Sequence, residues 1–174
     1  TTGCGQGSVF GDLMAEIDHV ALPEARISQA RLYAVLHAIR VQETTYKSAG
    51  SVHACALFSG ETMQVFVEDV GRHNAIDTIA GWMWMQGVTS NADSIFYTTG
   101  RLTSEMVMKS AQMGVAVVVS RSGITQMGYD VATRLQLCTI GRATNKHFLC
   151  YTASERLQLD PTLAVGGVHK VAST

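Results

Sequence analysis

Apolar positions along this chain switch between two periods, and each switch marks an element. Leu32, Val35, Leu36 and Ile39 fall at i, i+3, i+4 and i+7, the stripe of an amphipathic helix that Ser28 can cap and that runs to about Gln42. Two strand-like runs follow, Val52 to Ser59 and Met63 to Val70, joined by a Gly60-Glu61 turn. A connection that short predicts an antiparallel hairpin. Beyond Val70 helices and strands alternate: a helix over 73–86, with Ile76, Ile79, Ala80 and Met83 on one face, a strand over 94–99, a helix over 103–113, a strand over 115–120, a helix over 125–135 and a strand over 138–141. Such alternation builds a parallel sheet with right-handed crossovers. The last strand, 147–152, starts too soon after its predecessor for a crossover and is expected to pair antiparallel.

These elements predict one α/β domain over residues 12–160, a mixed sheet with helices on both faces in three layers. Residues 1–11 hold four glycines and no periodicity and are expected to form a flexible loop, and residues 161–174 a loose tail. At 174 residues, 47% hydrophobic and 16% charged, the chain has material for one sizeable core. Its longest purely apolar runs, such as Val115 to Val119, are far below the ~20 residues of a membrane-spanning helix. A net charge of −1 argues against nucleic-acid binding and against a polybasic membrane anchor, so any anion site must be local. Cys4, Cys55, Cys138 and Cys150 form no C-x-x-C pair, and a reducing cytoplasm is the expected setting. The opening Thr-Thr-Gly-Cys-Gly-Gln-Gly has no Met and reads as an internal loop, as in the C-terminal part of a longer protein.

Candidate chemistry lies where four strands end. The junctions read Glu-Asp-Val-Gly-Arg-His-Asn at 68–74, Thr-Gly-Arg-Leu-Thr-Ser-Glu at 99–105, Ser-Arg-Ser-Gly-Ile-Thr at 120–125 and Gly-Arg-Ala-Thr-Asn-Lys-His at 141–147. Each supplies glycine and one arginine: Arg72, Arg101, Arg121 and Arg142. The carboxyl ends of parallel strands share one edge, where ligands of open α/β sheets bind. Helix starts there offer free N–H groups and partial positive charge, and guanidinium forks add bidentate contacts. One such arginine is most simply a solvated side chain or an ion pair, as Arg72 with Glu68 or Asp69, or Arg101 with Glu105. Four in register point to a polyanionic ligand such as a nucleoside diphosphate.

The element order resembles the cytidine-deaminase-like fold, but hydrolytic zinc chemistry is excluded. His73 stands where such deaminases place a zinc ligand, yet Ala75 occupies the position of the proton-shuttling Glu, and Thr103-Ser104-Glu105 offers no thiolates. His53-Ala54-Cys55 lies within a strand, where core packing is the expected role.

The motifs taken together resemble the formate dehydrogenase accessory sulfurtransferase family. They are Thr-Gly-Cys-Gly at 2–5, Val-His-Ala at 52–54, Val-Glu-Asp-Val-Gly-Arg-His-Asn-Ala-Ile-Asp at 67–77, Thr-Gly-Arg-Leu-Thr-Ser-Glu-Met-Val at 99–107 and Val-Ser-Arg-Ser at 119–122. The resemblance implies a protein that takes persulfide sulfur from a cysteine desulfurase. It would pass that sulfur to the bis(molybdopterin guanine dinucleotide) molybdenum cofactor destined for apo formate dehydrogenase. It implies Cys4 as the sulfur-carrying cysteine and a cofactor-binding stretch at Ala143, Thr144, Asn145, Lys146, His147 and Phe148, beside the rim of Arg72, His73, Arg101, Arg121 and Arg142. Many members carry a second loop cysteine where this chain has Gly7. A cofactor-binding chaperone without sulfur transfer, or an ordinary nucleotide-binding enzyme, are the rival readings. Trp82-Met83-Trp84-Met85 on the helix over 73–86 is partly a core face, and a homodimer is the expected use of any exposed remainder.

Overall fold

The computed structural model describes residues 19–42 and 50–163, with Ile17, Ser48 and the backbone of His169–Val171 besides. Strand β1 (Ile27–Ser28) leads into helix α1 (Gln29–Gln42). Ser28 Oγ accepts the Arg31 N–H at 3.2 Å, the cap its position predicts. Then come β2 (His53–Ser59), β3 (Thr62–Asp69), α2 (Arg72–Gln86), β4 (Ser94–Thr98), α3 (Ser104–Gln112), β5 (Val117–Ser120), α4 (Gln126–Arg134), β6 (Cys138–Thr144) and β7 (His147–Thr152). A 3-10 turn (Ser154–Arg156), β8 (Leu157–Gln158) and β9 (His169–Val171) complete the order.

Seven strands form one sheet in the order β3-β2-β4-β5-β6-β7-β9. The hairpin β2–β3 is antiparallel, β2–β4 antiparallel, β4–β5 and β5–β6 parallel, and β6–β7 antiparallel. Strands β3, β4, β5 and β6 therefore point the same way, and their carboxyl ends share one edge. The first residue of β2 lies on that edge too, since His53 pairs with Asp69.

Alternation along β2 sorts its side chains to two cores. Cys55 and Leu57 join Ile76, Ile79, Met106, Val107 and Val131 under α2, α3 and α4. Ala56 and Phe58 join Leu32, Val35 and Ile39 under α1. Three layers result, the expected α/β architecture with helices on both faces. The run Val117–Val119 is buried on both sides, as a central parallel strand must be.

Three features depart from the sequence reading. Strand β6 runs past Gly141 to Thr144 through a register shift, with Arg142 at φ 51°. The fourth junction is therefore part of a bulged hairpin, closed by a two-residue connection at Asn145-Lys146, in the antiparallel pair that the sequence predicts. Strands β1 and β8 form a separate parallel pair outside the main sheet. Within residues 161–174, expected as a loose tail, β9 pairs parallel with β7, whose outer edge offers an unsatisfied row of backbone groups.

Candidate functional site

The carboxyl edge is built on a platform of buried hydroxyls. Thr98 and Ser120, paired in register at the ends of β4 and β5, are both 0% exposed. Thr98 Oγ1 accepts the Gly100 N–H at 3.0 Å, and Ser120 Oγ donates to the Gly100 carbonyl at 2.7 Å while accepting the Ser122 N–H at 3.0 Å. Backbone bonds stitch the neighbouring loops: Arg121 N–H to the Thr98 carbonyl at 3.0 Å, Leu102 N–H to the Gly123 carbonyl at 3.0 Å, and Arg142 N–H to the Ser122 carbonyl at 2.8 Å. The loops after β4, β5 and within β6 thus form one rigid rim, which fixes where their side chains start.

On that rim two arginines lie across two glycines. The stem of Arg72, from the first turn of α2, crosses Gly100 so closely that a Cβ there would stand 2.8 Å from Arg72 Cδ. The Arg142 guanidinium lies over Gly123 at ordinary contact, 3.5 to 3.8 Å from where a Cβ would be. Arg101 and Arg121 are exposed on the loops between them.

Polar side-chain atoms at the starts of α2 and α3 lack hydrogen bonds among the described residues. Gly71 and Thr103 occupy the capping positions, and neither makes a side-chain cap bond. Arg72 Nε, His73 Nδ1 and Thr103 Oγ1 are buried atoms without a hydrogen bond. His73 Nδ1 stands 3.4 Å from Glu105 Oε1 of α3, near enough for an ion pair when protonated but not aligned as a hydrogen bond. By contrast, Thr125 caps α4 by accepting the Gly128 N–H at 3.1 Å. Orphan donors beside uncapped helix starts suit an anion.

A second cationic surface lies on the α1 face. Tyr33, Leu36, His37 and Arg40 of α1 meet Asn145, Lys146 and His147 around a cavity of about 550 Å³. Tyr33 is locked in place: its hydroxyl donates to the Lys146 carbonyl at 3.2 Å and accepts from the buried Gln29 at 2.8 Å.

The profile of the FdhD/NarQ family matches residues 1–158, nearly the whole chain. The chain belongs to the FdhD/NarQ family. It is 31% identical over 156 residues to the sulfur carrier protein FdhD of Bacillus subtilis, covering 89% of this chain and 59% of that protein. It is 34% identical over 112 residues to the sulfur carrier protein FdhD of Staphylococcus aureus strain MRSA252, covering 64% of this chain and 42% of that one. A crystal structure from Desulfotalea psychrophila, described as a formate dehydrogenase accessory protein, superposes with a TM-score of 0.74 at 30% identity, covering 82% of this chain and 61% of the other. The chain thus spans about three-fifths of the length of its Bacillus relative.

Within this FdhD/NarQ chain the residues singled out from sequence divide into groups. Arg72, His73, Arg101, Arg121 and Arg142 all sit on the carboxyl edge. Asn145, Lys146 and His147 line the groove against α1, and Thr144 is exposed beside them. Ala143 and Phe148 are 2% and 3% exposed and pack in the α1-side core, so they position the hairpin from below rather than offer side chains to a ligand. Cys4 and the loop over 1–11 lie outside the described residues. Cys55, Cys138 and Cys150 are buried, and burial pushes the Cys55 thiol up to about 12. Of the three ion pairs weighed, Arg72 with Glu68 or Asp69 and Arg101 with Glu105, none is seen among the described residues: the Glu105 carboxylate faces His73 and Lys109, and Asp69 Oδ1 accepts the Gly71 N–H at 2.7 Å.

Sequence reasoning missed His53. Read as core packing, it is a half-buried rim residue, with Nδ1 3.4 Å from Thr99 Oγ1. Burial first, then the charges of Arg72 and His73, hold its pKa below 6.5. Counting the hairpin would have found it, since a two-residue turn at 60–61 places residue 53 at the same edge as Asp69. Among the described residues no group of three or more His, Cys, Asp and Glu side chains could hold a metal ion, and no helix is long and apolar enough to cross a membrane.

Proposed function

We propose that this chain is the cofactor-binding and sulfur-carrying part of a cytoplasmic sulfur carrier. The Cys4 thiolate attacks the outer sulfur of a persulfide on a cysteine desulfurase, the desulfurase cysteine leaves as a thiolate, and Cys4 then bears the persulfide. That sulfur is delivered to the bis(molybdopterin guanine dinucleotide) molybdenum cofactor, which is the substrate, on its way to apo formate dehydrogenase. The orphan donors at the starts of α2 and α3 are the observation that carries the binding half of this reading. A guanine dinucleotide brings diphosphates, whose oxygens satisfy Arg72 Nε and His73 Nδ1 together with free helix-start N–H groups. Thr144–His147 and the groove on the α1 face provide further cationic and aromatic surface for the rest of a ligand with two nucleotide arms.

Support for the sulfur half is the family match that includes Cys4 and the naming of relatives as sulfur carrier proteins. Mass spectrometry after incubation with a desulfurase and cysteine tests it. The Cys4 peptide is expected one sulfur atom heavier, and the gain disappears in Cys4→Ser. Gly7, standing where many members have a second cysteine, favours one alternative: a chaperone that binds and delivers the cofactor without carrying sulfur. Cofactor binding with an unmodified Cys4 peptide would establish that alternative.

A further inference from the structure

His53 has no part in the reading above, yet its surroundings are those of a ligand contact. It opens β2 and faces the sheet side covered by α2, α3 and α4, as Cys55 and Leu57 do. The Thr99 hydroxyl, 3.4 Å from His53 Nδ1, already accepts the Ala54 N–H at 3.0 Å. Its own hydrogen can point at Nδ1, and in that tautomer the imidazole proton is on Nε2. From α2, Arg72 and His73 stand near enough for their charges to act on the ring. From β3, Asp69 lies opposite in register, but its Oδ1 is occupied by the Gly71 N–H at 2.7 Å and Asn74 Nδ2 at 3.2 Å. Glu68 pairs in register with Ala54 and so belongs to the α1 face, and Glu105 of α3 turns to His73 and Lys109. Asp69 keeps its negative charge with Oδ1 engaged by those two donors, and Arg72 brings a positive charge that acts on the ring.

We propose that His53 is a ligand-binding residue of the carboxyl edge that takes up one proton when a diphosphate settles against Arg72 and His73. This rests on the reading of the edge as a diphosphate site. Without ligand, burial first and then the charges of Arg72 and His73 disfavour the charged ring. A bound diphosphate outweighs those cations and makes the charged imidazole favourable. The acid form of the buffer supplies the proton, which goes to Nδ1, and is left as its conjugate base. The Thr99 hydroxyl turns its hydrogen away and accepts from Nδ1, Nε2–H remains for the ligand, and no bond of the ligand changes. A ligand with two or more negative charges is thereby favoured over a singly charged one, and binding tightens as pH falls toward the free-state midpoint.

The test is a proton NMR titration of the ring Cε1–H of His53 in the full chain, with GDP or inorganic pyrophosphate as the probe. His53→Gln assigns the signal. The midpoint is expected below 6.5 without probe and about one unit or more higher with saturating probe. Calorimetry in two buffers of different ionisation enthalpy should show proton uptake on GDP binding that falls in His53→Gln. If GDP binds, Arg72→Ala weakens it and the His53 midpoint stays still, the role of His53 is overturned and the diphosphate site stands. If neither probe binds, or Arg72→Ala leaves affinity unchanged, the diphosphate reading fails and this inference with it.

Discussion

The rim has two halves, and they differ in what they leave unsatisfied. At the starts of α2 and α3 the capping residues make no side-chain bond, buried donors stand without partners, and Arg72 is pressed onto Gly100. At the start of α4 Thr125 supplies its own cap, and at the β6 bulge Arg142 rests at ordinary distance over Gly123. Hydroxyls beneath both halves are fully used, so the orphan groups of the first half do not reflect poor packing. One satisfied helix start beside two open ones is why the proposed anion site is the open pair and not α4.

The largest expected contrast is in affinity for GDP by calorimetry. Arg72→Ala removes a partly buried cation and should weaken binding by about tenfold or more, roughly 1.5–3 kcal/mol for charge-assisted bonds. Arg142→Ala, on the satisfied half, should cost about threefold or less. Equal losses would dissolve the distinction between the halves. Next come the glycines. Gly100→Ala would drive a methyl into the Arg72 stem at 2.8 Å and should weaken GDP binding several-fold although no charge changes, whereas Gly123→Ala should leave it unchanged. Thr125→Ala should lower stability by about 1 kcal/mol in urea unfolding with no effect on GDP affinity. A fall in affinity there would show that α4 shares the site.

The smallest effect concerns pH. Because the folded-state pKa of His53 lies below 6.5, the unfolded chain binds the proton first as pH falls from 6.5. Stability is therefore lost between 6.5 and the lower folded value, and His53→Gln should flatten that part of a stability-against-pH curve. A curve unchanged by the substitution would mean that the ring is not held neutral by the fold.

Much of the architecture was legible because period carries it. The stripe Leu32, Val35, Leu36, Ile39 and the two-sided burial of Val117–Val119 leave few alternatives to a helix and a central strand. The arginines were legible as a register, since strand direction alone puts four carboxyl ends on one edge. Three things were not. The junctions look alike as strings, and the cap bond that Thr125 makes and Thr103 does not is seen only in the structure. His53 looked like core because Ala54 and Cys55 beside it are core, and only its place opposite Asp69 across the hairpin, not any local signal, marks it as rim. The pair β1–β8 and strand β9 are two or three residues long, too short for any period.

The most direct test of the whole account is a crystal structure of the full chain soaked with GDP. The diphosphate is expected within hydrogen-bond reach of Arg72 Nε and the first N–H groups of α2, with His53 and His73 beside it. A diphosphate bound at the start of α4, or on the opposite edge of the sheet, would contradict the account.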